Sequence, residues 1–134
     1  MEKSGWIELP ARGNSMYPLI RKGDVCRFIP CDPFLLKKGD IVLFRSSAGL
    51  ITAHRICYME KSEGFVRFLL KGDANLGYDE PVEQKQIIGK LIWIRKSRVK
   101  IKVDTFPACA WGKLMFTFPI LTSLLWKHLN KKKP

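Results

Sequence analysis

Acidic residues are scarce in this sequence. Its 134 residues carry 12 Asp and Glu against 24 Lys and Arg, a formal net charge of +12 at pH 7. Such a balance suits nucleic acid, an anionic membrane surface or acidic peptides, and equally a well-solvated basic face. Histidine is scarcer still, at His54 and His128 alone. The four cysteines, Cys26, Cys31, Cys57 and Cys109, form no CxxC pair and no Cys/His spacing that holds a metal. No metal and no cofactor is therefore expected. Free thiols in a reducing compartment are the simpler account of these cysteines, beside a Cys26–Cys31 pairing across a turn. The opening residues Met1 to Trp6 contain no apolar run, so neither a cleavable signal peptide nor an N-terminal membrane anchor is expected there. Internal repeats and low-complexity linkers are missing too.

What is present is an ordinary folding composition, 46% hydrophobic and 27% charged, in a chain long enough for one domain with a real core. Short apolar or alternating runs separated by Gly, Pro, Asn and Asp turns predict a mainly β fold. Trp6 to Leu9 reads as an extended segment and Val25 to Ile29 as a strand with Cys26 and Phe28 on one face. Ile41 to Phe44 is a compact strand, and Ser46-Ser47-Ala48-Gly49 is a hairpin turn answered by Leu50 to Tyr58. Phe65 to Lys71, Ile87 to Ile94 and Val99 to Val103 complete the set, with a helical turn over Val82 to Gln86. These strands define a domain over 1–104, and residues 105–134 form a different tail. Leu114 to Trp126 is apolar and interrupted by Pro119, and Lys127 to Lys133 is basic. A span needs about 20 apolar residues. The tail therefore predicts a C-terminal hydrophobic helix, lying on an anionic membrane through 111–133 or packed on the core.

Gly13-Asn14-Ser15-Met16-Tyr17-Pro18, closed by Lys22-Gly23-Asp24, is a turn that presents a hydroxyl at a surface. A serine hydroxyl needs a general base before it can act as a nucleophile. His54, in Thr52-Ala53-His54-Arg55-Ile56, is the candidate, because His128 sits among the lysines of the tail. A base gains in turn from a carboxylate that fixes its tautomer. Asp73 and Asp79 bracket the loop Gly72-Asp73-Ala74-Asn75-Leu76-Gly77-Tyr78-Asp79, and either could serve. Taken singly, each feature is better explained by turn chemistry or by a structural histidine.

In order, the boxes Gly13-Asn14-Ser15-Met16-Tyr17-Pro18, Lys38-Gly39-Asp40-Ile41-Val42-Leu43, Ala53-His54-Arg55-Ile56 and Lys71-Gly72-Asp73-Ala74-Asn75, with Ile88-Gly89-Lys90-Leu91, resemble the signal peptidase I clan. That clan takes in the signal peptidases and the self-cleaving repressors. The resemblance covers Gly13 to Ile94. A histidine at the base position is similar to the archaeal, endoplasmic-reticulum and spore-former branch, where other members use lysine. The resemblance implies a β-rich, partly barrel-like catalytic domain with Ser15 as nucleophile and His54 as general base. It implies Asp79, or else Asp73, as the orienting acid, and backbone N–H groups at Ser15 and Asn14 for the oxyanion. Three departures stand out. Gly13 replaces a serine that assists the oxyanion in many members, and one such donor is worth about 2.7–4 kcal/mol. An N-terminal anchor of the usual kind is not expected, and the sequence is near the clan's minimal size.

Two readings follow. The first is a serine endopeptidase of the signal-peptidase type that removes a leader or signal segment from a precursor bound as an extended strand. Its expected location is membrane-associated or cytoplasmic. The second is a non-catalytic basic module of the same fold, in which Trp93 and the basic strand Arg95 to Lys102 track phosphates or lipid. Retention of Ser15, His54 and both aspartates favours the first, which leaves nucleic acid the weaker partner.

Overall fold

The computed structural model describes residues 5–97 and 99–103. Eight strands account for most of them: β1 Ile7–Pro10, β2 Val25–Ile29, β3 Ile41–Arg45, β4 Ile51–Ser62, β5 Phe65–Lys71, β6 Val82–Glu83, β7 Ile87–Lys96 and β8 Val99–Lys102. The only regular helices among the described residues are two 3₁₀ turns, Pro33–Leu35 and Gln84–Gln86. The domain is therefore mainly β. The helical turn expected over Val82 to Gln86 is narrower than its range, since Val82 and Glu83 pair with β5 before the chain coils. The return strand after the hairpin also runs further than Tyr58, because Met59 to Ser62 continue to pair with Phe68 to Phe65 of β5. The expected C-terminal helix lies outside the described residues.

All strands join one antiparallel sheet in the order β1-β2-β7-β3-β4-β5-β6, and β8 adds to β7. Hairpin contacts give β3-β4 and β4-β5, whereas β2-β7 and β3-β7 bring distant segments together. Register shifts at Arg27/Phe28, Leu43/Phe44 and Ile56/Tyr58 mark bulges. Such bulges bend a strand and increase its twist.

β3 lies at the centre, and Ile41, Val42, Leu43 and Phe44 are all buried. Because side chains alternate along a strand, four buried residues in succession mean cover on both faces. Ile41 and Leu43 enter one core with Met16, Phe28, Leu91 and Ile94. Val42 and Phe44 enter the other with Ile56, Val66, Phe68 and Leu70. The first core carries the segment around Ser15, and the second backs the strand that carries His54.

Among the described residues, β1 and the start of β4 both carry an open stretch of sheet edge. β1 pairs only with β2 and so has a free outer edge. On β4, Ile51 to His54 pair with β3, but β5 joins only from Arg55 onward. The start of β4 therefore also keeps an unpaired edge.

Candidate active site

The segment between β1 and β2 folds back through Ala11 N–H to the Asp24 carbonyl and Gly23 N–H to the Ala11 carbonyl. Within it, Tyr17 N–H donates to Asn14 O and Ile20 N–H to Met16 O, both at 3.0 Å. Met16 and Ile20 are buried in the first core and fix this turn to the sheet. Ser15, the residue just before Met16, is half-buried. The loop after β5 locks it from the other side. Ala74 N–H donates to the Ser15 carbonyl at 2.8 Å, and Asp73 N–H meets Met16 Sδ at 3.4 Å. Gly72 abuts Ser15 so closely that a Cβ there would stand 2.8 Å from the Ser15 carbonyl oxygen.

His54 projects from β4 opposite Val42, only 6% exposed, with the Phe44 ring 5.9 Å away. Its Nε2 lies 3.0 Å from Ser15 Oγ and its Nδ1 lies 2.6 Å from Asp79 Oδ2. An ionised carboxylate can only accept, so Nδ1–H donates to Asp79 and Nε2 is left to accept from the Ser15 hydroxyl. Asp79 is held by its own backbone N–H, which donates to the Leu70 carbonyl at 2.8 Å. Ser15, His54 and Asp79 thus form one continuous line of hydrogen bonds. Such a line can move a proton off an attacking hydroxyl and stabilise the imidazolium that results. The N–H groups of Asn14 and Ser15 have no acceptor among the described residues, which leaves both available to a developing oxyanion. Gly13 adds no hydroxyl.

Asp73 does not share this arrangement, and its candidacy as orienting acid is corrected by where its oxygens go. Oδ1 accepts from Arg55 Nε at 2.8 Å and Oδ2 from Arg55 Nη2 at 2.7 Å, while Arg55 Nη1 donates to the Gly39 carbonyl. Both side chains of the pair are almost wholly buried. The physical reason is the strand period: His54 and Arg55 are neighbours on β4 and point to opposite faces. Each takes a different aspartate from the same loop.

Sequence reasoning assigned no role to Lys71 or Arg55. Lys71 Nζ donates to the Gly72 carbonyl at 3.1 Å and to the Asn75 carbonyl at 2.6 Å, clasping the loop that touches Ser15. Burial pulls its ammonium below the usual lysine range; Asp73, Cys57 and Asp79 oppose that pull, and Arg55 adds to it. The signal that could have found Arg55 is a charged residue inside an apolar strand, since a buried charge requires a partner.

Beside Ser15 a cleft of about 440 Å³ opens between the two free edges. Residues 9–13 form one wall, 51–53 the other, and Cys26, Phe28 and Leu43 lie at its base. Burial, helped by Asp24 and opposed by Lys96, pushes the Cys26 thiol up to about 12, so it stays protonated and unreactive. Among the described residues no three His, Cys, Asp or Glu side chains gather to hold a metal ion. None of the helices among them is long and apolar enough to cross a membrane. His128 and the tail over 111–133 lie outside the described residues. No protein-family model matches this chain, and a comparison with curated protein sequences returns no match.

Proposed function

We propose that this protein is a serine endopeptidase of the signal-peptidase type, acting on a leader or signal segment of a precursor. The observation that carries the reading is the line from Ser15 Oγ through His54 to Asp79, at 3.0 and 2.6 Å. In the first half-reaction Ser15 Oγ attacks the scissile carbonyl carbon as its proton passes to His54 Nε2. The resulting oxyanion is met by the N–H groups of Ser15 and Asn14. Collapse breaks the C–N bond, and His54 returns the proton to the leaving amine. The acyl group stays on Ser15 until water, activated by the same histidine, repeats the sequence in reverse.

The open edges of β1 and of residues 51–54 flank the cleft and offer unpaired backbone groups to an extended chain. A precursor strand laid between them brings its carbonyl carbon to Ser15 and buries apolar side chains in the cleft. Small residues just before the cleaved bond are what the resemblance to signal peptidases implies. Interfacial binding through 111–133 would keep such an enzyme near membrane-inserted precursors.

A second reading, a basic binding module, draws on the outer face of β1, β2, β7 and β8. There Arg27 stacks 4.2 Å from the Trp6 ring centroid, and Lys100 and Lys102 lie 5.0 and 5.5 Å from that of Trp93. Salt-sensitive retention of nucleic acid that survives Ser15→Ala would favour it.

The test is a comparison of protein N-termini in cells carrying the wild-type chain or Ser15→Ala. New termini that depend on Ser15 and follow small residues are expected. Their absence, with both proteins folded and equally abundant, would overturn the protease reading.

A further inference from the structure

Among the described residues, the wall of the cleft beside Ser15 is apolar or neutral at every position but one. Arg12 is the single charged residue of that lining, and it is exposed. None of the ion pairs among the described residues includes it. Among the described residues the acids nearest in sequence are already engaged, Glu8 with Arg27 and Arg95, and Asp24 with Lys96. A guanidinium without a counter-charge among the described residues therefore stands on a largely apolar wall, three positions before Ser15.

A substrate strand whose scissile carbonyl reaches Ser15 and whose acyl side runs along β1 passes this group. At about 3.3 Å per residue, it does so within about four residues of the cleaved bond. An arginine fork donates two parallel hydrogen bonds to a carboxylate, an arrangement that a lysine or a neutral amide in the substrate cannot reproduce. Apolar surroundings strengthen such a pair relative to open water. We infer that Arg12 is a specificity-determining residue, selecting precursors with an Asp or Glu within a few residues before the scissile bond. The inference rests on Ser15 being the nucleophile, and it names the class of substrate that nucleophile meets.

A peptide library randomised over eight positions provides the probe, digested at low salt by wild type, Arg12→Glu and Ser15→Ala, with the products sequenced by mass spectrometry. Wild type is expected to enrich Asp and Glu about fivefold over Lys at one position before the cleaved bond. Arg12→Glu is expected to invert that ratio at the same position. Inversion is a gain of a new preference and cannot arise from misfolding. Half-molar salt should flatten both preferences, since the pair is partly exposed. Ser15-dependent cleavage with the same Asp/Lys ratio in wild type and Arg12→Glu overturns this inference alone. Absence of any Ser15-dependent cleavage overturns the protease reading and the inference with it.

Discussion

Two carboxylates six positions apart on one loop have been given opposite work by their surroundings. Asp79 keeps partial contact with solvent and a single short bond to His54, whereas Asp73 is buried and saturated by Arg55. Their amide variants should separate cleanly. Asp79→Asn preserves shape but offers His54 Nδ1 a group that no longer holds the productive tautomer, and the corresponding change in a serine protease triad lowers kcat about 10⁴-fold. Its melting temperature should stay near wild type. Asp73→Asn leaves the Arg55 charge buried without its counter-ion, a loss of about 3–5 kcal/mol. It should melt far earlier, with kcat at low temperature much less affected. Thermal melts and single-turnover rates on both variants check this, and an exchange of the two phenotypes would reverse the assignment. The residues alone put both aspartates forward, and only the resemblance set Asp79 ahead of Asp73. The strand alternation of His54 and Arg55 is visible in the residues themselves. What is not visible is the path of the loop, which depends on the contacts of Ala74 with Ser15 and Asp79 with Leu70.

That loop is the element on which the site turns. Lys71 closes it from within, Ala74 ties it to the Ser15 carbonyl, and Gly72 lies flat against Ser15. A methyl group at Gly72 would meet Asn75 Nδ2 at 2.7 Å, Ser15 O at 2.8 Å and Ser15 Cβ at 3.0 Å. The amide of Asn75 can swing away, but the backbone of Ser15 cannot yield without carrying Oγ off the His54 nitrogen. Displacement of a reacting group by about 1 Å costs on the order of 10²-fold in rate. Gly72→Ala should therefore lose about that much in kcat, with little change in KM because the cleft walls are untouched. Steady-state kinetics on a peptide taken from the library digest decides the matter. A KM effect at constant kcat would mean the loop serves binding instead. The glycine is plain in the sequence, but the close contact that requires it is long-range and leaves no local pattern. Lys71 is harder to notice, since it is one of many cations in a chain where most such residues are solvated.

At the scale of the whole molecule, the strands were legible because local physics writes them. β2 and β5 run as expected over Val25–Ile29 and Phe65–Lys71, and the compact apolar run Ile41 to Phe44 falls within β3. Sheet order was not legible, because the pairings of β7 with β2 and β3 join segments far apart in sequence. The same packing sets a property of the entire fold, its response to alkali. Burial raises the thiols of Cys26, Cys31 and Cys57 above their ordinary 9.0, Cys26 to about 12. Above pH 9 the unfolded chain gives up these protons and the folded chain retains them. The native state then binds more protons, so stability falls as pH rises. Lys71 acts with the opposite sign: its lowered value means that the folded state is relieved of a cost as pH climbs toward 10.5. Three thiols outweigh one ammonium, and the net slope should be downward from pH 9. A single thiol contributes at most about 1.4 kcal/mol per pH unit. Urea unfolding of wild type and Cys26→Ala between pH 8 and 10.5 isolates the largest of the three. The wild-type curve should decline more steeply, so that the gap between the two proteins narrows with each step above pH 9. Parallel curves would mean that the Cys26 thiol ionises equally in both states, and so that water reaches it at the base of the cleft.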